Sequence, residues 1–225
     1  MTFGAGFLPV AGENMFSAAA LFAFGVVAAV MYLPRTGSRI RMARSLRKTL
    51  PVFLFAMAAA AEGAPVLLIA ALALSAVGDF ALSRPGSRAF LIGMIAFATA
   101  HLAYIIVMIT LGATLSAAQW PIIAVLVAFG LSTEWWLRPH TGALKWPVRA
   151  YVGIILVMAL VALGLPEART VALWGALLFV VSDLILAIET FVLKPGDTRR
   201  KLAGKLVWIT YICAQIGLFW GLGAL

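Results

Sequence analysis

The chain has 225 residues, of which 64% are hydrophobic and 11% charged, against about 25% charged in an ordinary soluble domain. That composition excludes a soluble enzyme and points to an integral membrane protein, with apolar runs long enough for helices rather than barrel strands. The net charge of +9 is scattered over short loops, so no nucleic-acid partner is expected.

In chain order, the opening "MTFGAGFLPVAGEN" has no Lys or Arg. It lacks the basic start of a signal peptide, and the first helix is expected to be retained. Eight apolar segments follow, at about 14–33, 49–62, 65–83, 88–111, 119–137, 147–164, 170–193 and 202–224. Seven are long enough to cross a hydrocarbon core of about 30 Å at 1.5 Å per residue. The second, "TLPVFLFAMAAAAE", is short, and its length alone would also suit a re-entrant or buried helix.

Charge decides for a crossing. The first loop holds Arg35, Arg39, Arg41, Arg44, Arg47 and Lys48, the third Arg84 and Arg88. The fifth holds Arg138, Lys145 and Arg149, and the seventh Lys194, Arg199, Arg200, Lys201 and Lys205. Arg169 is the single basic residue on the other side. Basic loops stay cytoplasmic, and this alternation collapses if segment two does not cross. The expected architecture is therefore all-α and polytopic: eight transmembrane helices forming a single membrane domain over 1–225, with both termini outside. The absence of a targeting signal suits a bacterial inner membrane. The basic rim would also attract anionic membrane lipids.

Two carboxylates stand inside apolar runs. Asp79 lies in "VGDFAL" on the third segment and Asp183 in "VVSDLIL" on the seventh, in a shared small-Asp-x-x-Leu pattern. Both segments run outside to inside, as a parallel duplication of four helices would produce. An ionised Asp at mid-membrane costs about 2.5–3.5 kcal/mol, so each must face a polar interior, pair, or hold a proton. Counted from the inner ends, Asp79 is roughly 6 Å deep and Asp183 roughly 15 Å. The alternative reading of each is a hydrogen bond that glues neighbouring helices.

On the fourth segment Gly93, Phe97, His101 and Tyr104 share one helix face. His101 suits either a catalytic or orienting role, or a neutral histidine bonded to a neighbour. Tyr104 suits packing or a contact to water or substrate. Tyr211 and Gln215, at i and i+4 on the last segment, would share a polar cavity or bond locally. Glu189 follows Asp183 by six residues and is expected to point elsewhere. Glu134 sits beside Trp135 and Trp136 at the inner boundary, Glu62 is in an outer turn, and Glu13 precedes the first span.

Several chemistries lack their residues. One cysteine, Cys213, and two histidines leave no evident metal site. No G-x-S-x-G or G-x-x-x-x-G-K-[ST] is present. Ala76 stands where an intramembrane Gly-x-Gly-Asp would need its first glycine.

The pieces "VGDFAL", "FLIGMIAFATAHLAYI", "RAYVGIILVM", "GALLFVVSDLILA" and "TYICAQ", spread in this order over most of the chain, resemble the YhhN-like family, which includes the lysoplasmalogenases. Lys48, ahead of Pro51, loosely matches that family's Lys-Pro start of the second span. The resemblance implies an eight-span enzyme that hydrolyses the vinyl ether of lysoplasmalogen-type lysophospholipids, releasing a fatty aldehyde and a glycerophospho-headgroup. Such chemistry asks for one protonated carboxyl and one carboxylate, as paired acids do for glycosides. Asp183, the deeper, is assigned as acid and Asp79 as base or electrostatic stabiliser, with His101 orienting one of them. Tyr104, Lys48, Tyr211 and Gln215 are the candidate substrate-binding residues, with the lipid phosphate set toward Lys48, Arg84 or Arg88. No metal or organic cofactor is implied. Two other classes remain open: a proton-coupled transporter or flippase, and a structural membrane protein whose Asp residues serve packing.

Overall fold

The computed structural model describes residues 11–38 and 41–223. The opening residues 1–10, Arg39 and the side chain of Glu13 lie outside the described residues. Among the described residues the regular structure is helical throughout, and the α-helices are α1 (Ala11–Tyr32), α2 (Met42–Ala61), α3 (Val66–Leu82), α4 (Ser87–Thr110), α5 (Trp120–Trp136), α6 (Lys145–Leu163), α7 (Thr170–Ala187) and α8 (Arg199–Leu222). Short turns join them. Gly63, Gly86, Gly112 and Gly196 take positive φ there, a conformation that glycine adopts without steric cost.

Six of the helical stretches are long and apolar enough to cross a membrane. Large apolar side chains stand exposed along their outer faces, among them Phe24, Trp120, Trp135, Trp146 and Trp174. A soluble protein does not present so much apolar surface. The chain is an integral membrane protein.

Two boundaries differ from the sequence reading. The second helix begins at Met42 rather than 49 and runs for 20 residues, long enough for about 30 Å. Its first two turns are "MARSLRKT", a basic stretch whose Met, Ala, Arg, Leu and Lys are strong helix formers. Hydropathy hides this part of the helix. As a result Arg44 and Lys48 lie one turn apart on one face. The seventh segment is interrupted as well: α7 ends at Ala187, and Ile188–Val192 winds as a π-helix.

Consecutive helices pack side by side within α1–α4 and within α5–α8. The halves meet where α4 lies against α6 and where α8 lies against α2 and α3. Small residues permit the close approaches. A Cβ on Gly78 would sit 2.6 Å from the Phe97 ring, and one on Gly93 would sit 3.2 Å from the Gly78 carbonyl oxygen, so α3 and α4 nearly touch. A Cβ on Gly217 of α8 would sit 2.9 Å from the Gly175 Cα on α7, so these helices are equally close. Arg169, the basic residue expected on the outer side, donates from Nη1 to the carbonyls of Gly221 at 2.9 Å and Gly223 at 3.3 Å. It closes the C-terminal end of α8, where a cation complements the helix dipole.

Candidate active site

Asp79 is the last but three of the α3 residues and is almost wholly buried. Its carboxylate has two partners from two other helices. Lys48 Nζ, from α2, lies 3.2 Å from Oδ1, and the Tyr211 hydroxyl, from α8, donates to Oδ2 at 2.6 Å. The early start of α2 is what brings Lys48 alongside. Gly78 admits the Phe97 ring next to Asp79, and Phe97 stacks edge-on against Tyr211 with ring centroids 5.7 Å apart.

Asp183 on α7 is 16% exposed through its side chain. The Tyr151 hydroxyl, from α6, donates to its Oδ2 at 2.5 Å. His101 Nε2, from α4, lies 3.0 Å from the Tyr151 oxygen and 3.6 Å from the same Asp183 oxygen. A proton on Nε2 completes a chain from His101 through Tyr151 to Asp183. His101 is fully buried, with Phe179 edge-on at 4.5 Å and Nδ1 lacking a partner among the described residues. In contrast with Asp79, no Lys or Arg among the described residues pairs with Asp183.

The two acids share a cavity of about 220 Å³. Its polar wall carries Arg44, Lys48, Asp79, Asp183, Glu189 and Tyr211. A second cavity, about 90 Å³ and almost entirely apolar, runs among α4, α5, α6 and α7 between residues such as Met94, Phe129, Val148 and Leu184. Asp183 borders both, together with Leu82, Phe90, Phe97, Leu186 and Thr190. The arrangement places a carboxyl group where a polar chamber meets a hydrocarbon slot.

The candidates from the sequence fall into three groups. Asp79, Asp183, Lys48 and Tyr211 line the polar cavity, and His101 stands behind Asp183. Tyr104 and Gln215 do not reach it: the Tyr104 hydroxyl donates to Gln215 Oε1 at 2.7 Å in a fully buried pair. The i, i+4 spacing of Tyr211 and Gln215 thus puts only the first at the cavity. Arg84 and Arg88, expected near the lipid phosphate, line neither cavity, and Arg44 lines the polar one beside Lys48. Glu189, expected to point elsewhere, lines the polar cavity opposite Gly204, which sets no side chain against it. Tyr151 was missed altogether. Its only signal was a hydroxyl near the start of the sixth segment, within "RAYVGIILVM". Among the described residues no three of His, Cys, Asp and Glu gather as a metal site would require.

The family model of the YhhN family matches residues 43–222. The chain belongs to the YhhN family. The matched region runs from the start of α2 to the end of α8 and holds Lys48, Asp79, His101, Tyr151, Asp183 and Tyr211. Among curated relatives, the lysoplasmalogenase TMEM86B of Homo sapiens is 39% identical over 179 residues, covering 76% of this chain and 72% of its own. The lysoplasmalogenase of Mycobacterium tuberculosis is 32% identical over 182 residues, covering 73% and 67% respectively. The lysoplasmalogenase TMEM86A of Bos taurus is 30% identical over 203 residues, covering 83% and 80%. No solved structure matches at the same stringency.

Proposed function

We propose that the chain is a membrane-embedded hydrolase that cleaves the vinyl ether bond of lysoplasmalogen-type lysophospholipids. The observation that carries this reading is the shared cavity. Asp79 and Asp183 border one polar chamber, and at Asp183 that chamber meets an apolar slot. An amphipathic lipid lies across such a junction with its chain in the slot, its headgroup in the chamber and its ether between them. The relatives named lysoplasmalogenase support the same substrate.

The surroundings favour Asp183 as the acid. It borders the apolar slot, has hydroxyl and imidazole neighbours, and meets no Lys or Arg within ion-pair distance among the described residues. Protonated Asp183 gives its proton to the β-carbon of the vinyl ether, leaving an oxocarbenium ion. Tyr151 and His101 orient the carboxyl group. Asp79, with Lys48 as counter-charge, stabilises the cation and takes a proton from the water that adds to it. The hemiacetal then collapses. Its hydroxyl returns a proton to Asp183 while the departing glycerol oxygen takes the proton held by Asp79. Fatty aldehyde and glycerophospho-headgroup leave, and both acids are restored.

The architecture that accompanies this reading has eight spans with the basic ends cytoplasmic and the outer ends of α1 and α8 across the membrane, in a bacterial inner membrane. A parallel duplication of four helices fits the packing. His101 of the first half serves Asp183 of the second, and Tyr211 of the second half serves Asp79 of the first. The fully buried Tyr104–Gln215 pair lies off both cavities, which does not favour a transporter.

The test is purified protein in detergent with a 1-alkenyl lysophospholipid in D2O. Aldehyde carrying one deuterium at C2 is expected, because the transferred hydron enters at the β-carbon. Absence of aldehyde, or aldehyde without that label, rejects the mechanism.

A further inference from the structure

The polar cavity contains charges that the proposed chemistry leaves unused. Arg44, one turn ahead of Lys48 on α2, is anchored by a bond from Nη2 to the Thr36 carbonyl at 2.6 Å. Its Nε is buried and has no partner among the described residues. Glu189, from the π-helix between α7 and α8, lines the same cavity. Arg200, Lys48 and Arg44 are the cations that influence its carboxylate. None of them forms an ion pair with Glu189 within 4.0 Å, and its carboxylate accepts no hydrogen bond among the described residues. On the facing helix Gly204 leaves space: a Cβ there would lie 3.7 Å from Glu189 Oε2. Tyr32 and Trp208 line the cavity too, with ring centroids 4.6 Å apart.

One cavity thus holds a guanidinium that adjoins the Tyr32 hydroxyl and keeps its Nε unpartnered, an unpaired carboxylate and an aromatic corner. A phosphate alone would satisfy the first and be repelled by the second. A zwitterion satisfies both, because its phosphate and ammonium are separated by only two carbons. Arginine suits the phosphate oxygens through its planar fork. The aromatic corner suits an ammonium, methylated or not. We propose that Arg44 and Glu189 form the headgroup subsite, with Arg44 binding the phosphate and Glu189 the ammonium, so that Glu189 selects zwitterionic over purely anionic lysophospholipids. The inference rests on the proposed function for its substrate class.

Binding and turnover are measured separately. Non-cleavable 1-alkyl lysophospholipids carrying phosphoethanolamine or bare phosphate are titrated into the purified full chain in detergent, and aldehyde release is followed with the 1-alkenyl counterparts. Glu189→Gln raises Kd for the phosphoethanolamine lipid about tenfold, the size of one lost charge-assisted contact, and leaves Kd for the phosphate lipid unchanged or lower. Arg44→Gln weakens both lipids. Glu189→Asp, which keeps the charge, retains the preference and serves if Glu189→Gln does not fold. Equal changes for both headgroups in Glu189→Gln, or no change, overturn the subsite. If the Kd pattern holds while wild type releases no aldehyde, the hydrolase reading fails and the subsite stands. If aldehyde appears without headgroup discrimination, the reverse is true.

Discussion

Asp79 and Asp183 occupy matching places, each on the third helix of a four-helix half, each after a small residue and each close to the C-terminal end of its helix. Their neighbours make them different groups. Asp79 is buried with an ammonium at 3.2 Å and a tyrosine hydroxyl at 2.6 Å, so both of its oxygens are engaged. Asp183 is partly open, engages one oxygen with Tyr151, and stands beside an imidazole at the border of an apolar slot. The contrast teaches that a repeated acid motif does not imply a repeated role. The helices that cross from the other half decide which partners each carboxylate meets.

The largest expected effect tests that contrast directly. Asp183→Asn removes the transferable proton and keeps the shape, and kcat is expected to fall by about 10²–10⁴, the usual worth of a positioned acid. Thermal unfolding in detergent should barely move, because no Lys or Arg among the described residues is stranded and the amide oxygen can still accept from Tyr151. Asp79→Asn should also lose activity but with a clear loss of stability, since Lys48 is left beside a neutral amide. If the two variants show the same stability, the two sites are not electrostatically distinct.

Lys48→Met probes the same pair from the other side. Removing one member of a buried pair commonly costs about 3–5 kcal/mol, because the remaining charge is uncompensated. Lys48 is 20% exposed, so the lower end is expected. The double variant Lys48→Met with Asp79→Asn should recover much of that loss in a thermal or denaturant titration. Additive losses would mean that the pair is only a proximity.

Tyr151→Phe is expected to act more mildly and on kcat alone. It deletes the hydroxyl between His101 and Asp183 without removing either. A single hydrogen bond to a charged or reacting group is worth about 1.5–3 kcal/mol, so a drop of roughly tenfold to a hundredfold in kcat follows, with KM little changed. A rise in KM at constant kcat would show that Tyr151 binds lipid instead of orienting the acid.

The sequence exposed these features unequally. Asp79, Asp183 and His101 were legible because a polar side chain in an apolar run stands out at a stated cost. The helices were legible because hydrocarbon thickness demands long apolar runs. The basic first turns of α2 were not, because hydropathy reads Arg44 and Lys48 as loop although their helix propensity is high. Tyr151 was hidden because tyrosine near a membrane boundary is ordinary. Its value depends on α4 meeting α6, a contact that no local pattern encodes. Glu189 was misjudged for a similar reason: the wall it lines is completed by α8, at Gly204, and depends on how two helices far from Asp79 in sequence come to rest beside it.

The smallest effect separates the cavity from the layer behind it. Tyr104 and Gln215 carry the same chemical groups as cavity residues, but they are bonded to each other, fully buried and off both cavities. Tyr104→Phe leaves Gln215 Oε1 without its donor in a buried setting, which costs about 1–3 kcal/mol of stability. It takes nothing away from the chamber, so kcat and KM should remain within about twofold of wild type, less than the 1.4 kcal/mol that a tenfold change represents. Tyr211→Phe, four residues before Gln215 on α8, removes a hydroxyl from Asp79 itself and should lower kcat. If the two variants behave alike, either the polar chamber extends deeper between α4 and α8 than its lining residues indicate, or Tyr211 serves packing alone. A rise in KM in Tyr104→Phe without a fall in the unfolding midpoint would favour the first.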